Sequence, residues 1–231
     1  MATSITSFDV DPRRLGGVYL LTPDADDAGF ARVLRIVEQA LQAGVRAVQY
    51  REKKAAITVQ FERAERLREL TRRGGALLII NDSVEIAIHC RADGVHLGRA
   101  DGGICEAKQR LVNSLVSVSC YNELAIAQSA VAAAADAIAF GSIYASATKP
   151  DAVNAPLALI TKARMTWPQS RVIGIGGINA SNIGHVAAAG AHAAAVLDAV
   201  FTAHDPEGAA GQLVQRFEQG KRNYEDQRTT V

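Results

Sequence analysis

The residues best suited to chemistry fall into three groups. Asn81-Asp82 and Asp101 follow two successive apolar stretches, 76–80 and 94–97. If those stretches are parallel strands, both acids emerge at one rim. Two carboxylates there suit a hard divalent cation such as Mg²⁺. Taken singly, each acid reads more simply as the cap of the helix that follows it. Gln49, Arg51 and Lys53 alternate at the end of another apolar stretch. Strand side chains alternate with a period of two, so these three share one side. An amide, a guanidinium and an ammonium together suit a multiply charged anion, and Glu52 between them would face the other way. The third group is Ser146, Thr148 and Lys149 in a long loop, with Gly176-Gly177 further on. Hydroxyls, an ammonium and backbone N–H groups ahead of a helix suit phosphate oxygens. No side chain is placed as a nucleophile or general base. Two anion sites and one metal suggest a transferase that joins a pyrophosphate ester to a phosphorylated acceptor. Departure of pyrophosphate would drive it, and the protein would supply charge and orientation.

These groups must be positioned by the elements around them. Eight short apolar stretches, at 18–21, 45–49, 76–80, 94–97, 115–119, 137–140, 171–175 and 193–197, read as strands. Each is followed by a helical pattern. Phe30, Val33, Leu34, Val37 and Leu41 recur at helical spacing before Gly44. Thr58 and Asn122 are expected to cap helices, Pro156 suits a first turn, and Gly190 suits a helix end. The repeat of about 25–30 residues, with strands apolar on both faces, predicts a single-domain α/β fold, the eightfold (β/α)8 or TIM barrel. An open doubly wound sheet is the alternative. It would not need strand ends of matching character all round. The expected organisation is a lead-in over 1–15, the barrel over 16–220 and a polar, frayed tail over 221–231. The site is expected where the odd residues lie, at the carboxyl ends of the strands.

Composition narrows the function class. The chain has 231 residues, is 48% hydrophobic and carries a formal charge of +1. That suits a sizeable core and argues against a nucleic-acid or polybasic membrane surface. The basic residues over 63–73 have Glu62, Glu65 and Glu69 interleaved and read as a solvated helix face. Cys90, Cys105 and Cys120 show no metal spacing and read as reduced thiols of a cytoplasmic protein. No apolar run approaches a membrane span, and no apolar signal core opens the chain. His96, inside a strand, reads as a packed structural histidine, and Tyr144 and Trp167 read as packing.

The motifs together resemble the thiamine-phosphate synthase family. They are Gln49-Tyr-Arg-Glu-Lys53, Asn81-Asp82, Gly94-Val-His-Leu-Gly98 with Asp101, Ser119, Gly141-Ser-Ile-Tyr-Ala-Ser-Ala-Thr-Lys149 and Gly174-Ile-Gly-Gly-Ile178. The resemblance spans about residues 16–200, in the family's order. It implies the joining of 4-amino-5-hydroxymethyl-2-methylpyrimidine diphosphate to 4-methyl-5-(2-phosphoethyl)thiazole, giving thiamine phosphate and pyrophosphate. The implied course is dissociative: pyrophosphate leaves, a pyrimidine methylene cation forms, and the thiazole nitrogen traps it. By the family's pattern, Gln49, Tyr50, Arg51, Glu52, Lys53, Asn81, Ser119 and Lys149 would hold the pyrimidine diphosphate. Arg51, Ser119 and Lys149 would act at the reacting groups. Asp82 and Asp101 would bind Mg²⁺. Ser146, Ala147, Thr148, Gly177, Leu197 and Asp198 would hold the thiazole phosphate. The sequence departs from the pattern at Ala145, where proline is usual, at Ser146 for threonine, and at Asp198 for serine. A thiazole tautomerase of similar fold is the nearest rival, but its relatives carry a histidine after the strand-five serine, where this chain reads Ser119-Cys-Tyr-Asn122. A non-catalytic phosphate-sensing barrel is the other. The partners expected are small phosphorylated substrates, with no nucleic acid or membrane, and a homo-oligomer is compatible.

Overall fold

The computed structural model describes residues 10–99, 103–145 and 153–229. Eight parallel strands close into a barrel in sequence order, the eighth pairing with the first. They are β1 (Gly17–Leu21), β2 (Ala47–Tyr50), β3 (Leu77–Asn81), β4 (Gly94–Leu97), β5 (Leu115–Tyr121), β6 (Ala137–Phe140), β7 (Arg171–Ile175) and β8 (Ala193–Val196). The expected barrel is therefore the observed fold. The helices between them are α1 (Asp27–Gln42), α2 (Ile57–Arg73), α3 (Val84–His89), α4 (Ile104–Arg110), α5 (Leu124–Ala132), α6 (Leu157–Thr166) and α7 (Ile183–Ala188). Two more, α8 (Asp198–Phe201) and α9 (Pro206–Thr229), follow β8. No described helix is long and apolar enough to cross a membrane.

The period-two alternation of each strand separates two cores. Val18, Leu20, Val48, Leu78, Ile80, Val95 and Val116 face the helices. Tyr19, Ala47, Leu77, Ile79, Leu115, Ile173 and Ala195 fill the barrel interior. Tyr19 sits in register with Ala47 on one side and Ala195 on the other. The small neighbours leave room for its ring, the large-against-small matching that close packing requires. At the amino-terminal pole, Asp93 and Asp136 each turn a carboxylate oxygen onto a strand: Leu78 N–H and Val116 N–H donate to them over 2.7 Å.

Helix boundaries differ from expectation in physical detail. Thr58 is not a cap; the cap position of α2 is two residues earlier, at Ala56, with no side-chain cap bond. Glu123, not Asn122, stands at the start of α5, and Pro156 is the cap residue of α6 rather than its first turn. The short helix α8 was not expected. The described residues beyond 220 are helical rather than frayed: α9 continues to Thr229, where Tyr224 packs against the turn at Gly190 and lies under the guanidinium groups of Arg164 and Arg228. Tyr144 and Trp167 pack on the outer core, as read from sequence.

Candidate active site

The carboxyl ends of β2, β3, β4 and β5 bring polar side chains into the upper barrel interior. Gln49 follows Ala47 on the inward face of β2, is 2% exposed, and donates from Nε2 to Tyr19 Oη over 2.8 Å. Burial pushes the Tyr19 phenol far above its usual range, so it remains a neutral hydroxyl that can accept this bond. Asn81 is in register with His96, and His96 with Ser117. The His96 ring is buried, with Nδ1 2.7 Å from the Ser117 hydroxyl and Nε2 2.9 Å from the Ser119 hydroxyl. It is the packed histidine expected, and it also fixes the height and direction of Ser119 at the mouth.

Beyond β2 the chain is pinned. Thr22, fully buried, accepts from Arg51 N–H over 3.0 Å and donates to Arg51 C=O over 3.3 Å. Asp24 accepts from Lys53 N–H over 2.8 Å, and its other oxygen lies 3.6 Å from Arg51 Nη1. Both cations are thereby held at the rim. The Lys53 ammonium reaches across to the Asp82 carboxylate, joining the ends of β2 and β3.

Tyr50 and Glu52 are corrected. Their side chains do not face the mouth with Gln49, Arg51 and Lys53, because the same alternation sends them into the helix layer. Tyr50 lies in the outer core, its phenol pushed far up by burial and then by the charge of Glu52. Glu52 is buried under the loop, where it accepts from Ala25 N–H, Lys54 N–H and Ala55 N–H at 3.3, 2.8 and 3.2 Å. It also pairs with Arg63 Nη1 at 2.9 Å. Arg63 is 4% exposed, donates to Ala25 C=O over 2.7 Å and stacks 4.8 Å from the Phe30 ring centroid. It does not belong to a solvated face. A buried carboxylate and guanidinium persist only when paired and hydrogen-bonded throughout, and here the pair shapes the loop carrying Arg51 and Lys53. Sequence reasoning missed Thr22, Asp24 and Arg63 as positioning residues. Their partners lie far away in the chain, and no local pattern marks them.

The helix-capping alternative for Asp82 falls away. Ser83 caps α3, accepting from Ile86 N–H over 3.2 Å, while Asp82 adopts φ +65°. Its carboxylate faces the rim. That suits a hard cation, which commonly takes one or two carboxylates and completes its shell with substrate phosphate and water. Asp101, Ser146, Ala147, Thr148 and Lys149 lie outside the described residues.

On the far side of the mouth, the loops after β6 and β7 lock together. Ile143 N–H donates to Ile175 C=O over 2.9 Å, and Tyr144 N–H to Gly176 C=O over 3.1 Å. Gly177 has φ +60°, and a Cβ there would stand 2.3 Å from Ala145 C=O. Only glycine fits both the conformation and the approach. Asn182 Nδ2 donates to Gly177 C=O over 3.0 Å and fixes the turn. Leu197 packs on the interior core, and Asp198 opens α8, its C=O accepting from Thr202. Cys120 points into the outer core, where burial pushes its thiol up to about 12 and keeps it out of the mouth chemistry.

The site thus combines two rim cations, a rim carboxylate, an inward amide and a histidine-held serine facing a glycine-built turn. Comparison with known proteins gives the same direction. A thiamine-phosphate synthase of Chromobacterium violaceum is 42% identical over 207 residues, 89% of this chain and 98% of that protein. One of an Azoarcus species is 46% identical over 194 residues, 84% and 93% respectively. The solved structure of a thiamine phosphate pyrophosphorylase from Pyrococcus furiosus superposes with a TM-score of 0.81 at 31% identity, covering 91% of this chain and 99% of that one. A family model described as thiamine monophosphate synthase matches residues 18–200, and the chain belongs to that family.

Proposed function

We propose that this protein is a transferase that joins 4-amino-5-hydroxymethyl-2-methylpyrimidine diphosphate to 4-methyl-5-(2-phosphoethyl)thiazole, releasing pyrophosphate and thiamine phosphate. The observation that carries the reading is the arrangement across β2 and β3, Lys53 paired with Asp82 and Arg51 held by Asp24, inside a family match spanning most of the chain. Arg51 and Lys53 bind the diphosphate and offset the charge that grows on it as the carbon–oxygen bond breaks. Gln49 and Asn81 orient the pyrimidine end from the barrel interior. Ser119, held by His96, lies beside the ring. Asp82 and Asp101 would hold Mg²⁺, which would supply positive charge to the pyrophosphate leaving group. The loops after β6, β7 and β8, through Ser146, Thr148, Gly177 and Asp198, place the thiazole phosphate so that the ring nitrogen faces the cation left behind. Lys149 completes the diphosphate cradle. Such a site works by orientation and charge, and needs no base at the thiazole. Small phosphorylated metabolites are its partners, and free thiols, two of them buried, fit a cytoplasmic enzyme.

The test is pyrophosphate release by the purified protein with both substrates, first with Mg²⁺ and then with EDTA. Release that needs both substrates and the metal is expected. Thiazole-phosphate binding without release under any metal condition would point instead to a tautomerase-like or sensing barrel.

A further inference from the structure

The pole opposite the mouth carries a cavity of about 450 Å³. It is lined by residues at the starts of the strands, including Gly17, Val18, Arg171 and His192. Strands of this length put it roughly 15 Å from the mouth. Six lysine or arginine side chains line it, against two carboxylates, Glu218 and Glu225. Several of the cations are already engaged. Arg46 is tied to the carbonyls of Leu41 and Val45, and Lys221 stands 3.8 Å from Glu218. Arg164 and Arg171 are different. Neither has a carboxylate within ion-pair distance among the described residues. Arg164 Nε is buried with no hydrogen-bond partner, although buried donors are normally satisfied. Arg171 spends two donors on one acceptor, Leu15 C=O.

His192 adds a neutral donor. Val172 N–H donates to its Nδ1 over 2.9 Å, so Nδ1 carries the lone pair and the ring proton sits on Nε2. The local field is mainly positive, with Asp11 a partial offset at Arg171. Burial, then Arg171, Arg164 and Lys221, press the His192 imidazolium down to about 3. Burial and then Arg164 lower Arg171 to about 10. Like charges that outnumber their counter-charges around a polar cavity are costly unless an anion joins them.

We propose that this cavity is a second binding site, for a compact oxyanion of the inorganic diphosphate class, held by Arg164, Arg171 and Lys221 with His192 Nε2 donating. The site is separate from the mouth and needs no metal. A diphosphate supplies acceptors for the guanidinium groups that line the cavity and lowers the repulsion between them.

The full chain is titrated with inorganic pyrophosphate in EDTA while the His192 ring signals are followed by NMR. A saturable shift is expected, with the imidazole pKa rising from its depressed value as the anion binds. Arg164→Gln and Lys221→Gln should each weaken that response about tenfold, the value of one charge-assisted hydrogen bond. Neither side chain makes a hydrogen bond to the backbone, and unchanged melting temperatures verify the fold. Arg51→Gln, at the mouth, should leave the His192 response in place. No saturable response, a response in both pole variants as strong as the parent's, or a response lost only with Arg51→Gln would each overturn the proposal. The readout does not depend on turnover, so it separates this site from the proposed reaction.

Discussion

Asp82 shows how much one backbone angle settles. At φ +65° it is in the left-handed region, which aspartate tolerates better than most residues, and Ser83 takes over the capping of α3. The carboxylate is released for the rim, so Asp82→Asn should leave the melting temperature close to the parent's. Pyrophosphate release with both substrates and Mg²⁺ should fall by about a hundredfold or more, the loss of a metal-binding charge. Parent-like turnover would remove Asp82 from the metal site. Asp198 is the opposite case, a carboxylate where the resemblance leads one to expect a serine. Asp198→Ser should leave thiazole-phosphate affinity equal or improved by a few fold, measured by calorimetry, since a carboxylate close to the phosphate repels it. A large loss would assign the carboxylate a positive role. At this scale the inward residues Gln49 and Asn81 were legible because the period of two is local. The outward pair Glu52 and Arg63 was not: an arginine among glutamates on a helix looks solvated until the loop that buries it is known.

The loop between β2 and α2 is the element on which the rim depends. It holds its shape through one buried carboxylate that accepts from three N–H groups and one guanidinium. Glu52→Gln should therefore cost about 3 kcal/mol in urea unfolding, mostly because the buried Arg63 loses its buried counter-charge and keeps only the exposed Asp27. Adding Arg63→Met should recover part of the loss. Diphosphate affinity should fall in the single variant, because Arg51 and Lys53 lose their platform. Strands were legible at this scale, since buried parallel strands are short, apolar and evenly spaced. Caps were less so. Thr58 and Asn122 have the right chemistry, but where a helix begins is decided by how the preceding loop packs, and neither side chain provides the cap. The length of α9 was hidden for a related reason: its last turns are polar in sequence, and only the contact of Tyr224 with the Gly190 turn shows that they are anchored.

Over the whole molecule, charge is divided between two poles, and the pole away from the mouth governs acid stability. Folding keeps His192 neutral against burial and the charges of Arg171, Arg164 and Lys221, with Glu218 and Glu225 on the facing helix too few to offset them. The unfolded chain takes up that proton first as pH falls below 6.5, and the folded chain only near about 3. Stability should thus decline by about 1 kcal/mol between about pH 7 and about pH 5, read from denaturant midpoints. His192→Asn should flatten that decline. An unchanged slope would show that other groups set it. The barrel itself was legible in the spacing of eight strands, but its basic pole was not. Arg46, Lys221 and the neighbouring pair Arg164 and Arg171 come from distant parts of the chain and meet only on closure. Closure has a cost during synthesis. The second partner of β1 is β8, so a nascent chain keeps two open sheet edges until residues near 196 emerge from the ribosome. Until then those edges can recruit strands from neighbouring chains. Premature termination anywhere before β8 thus yields an aggregation-prone fragment rather than a weakened enzyme.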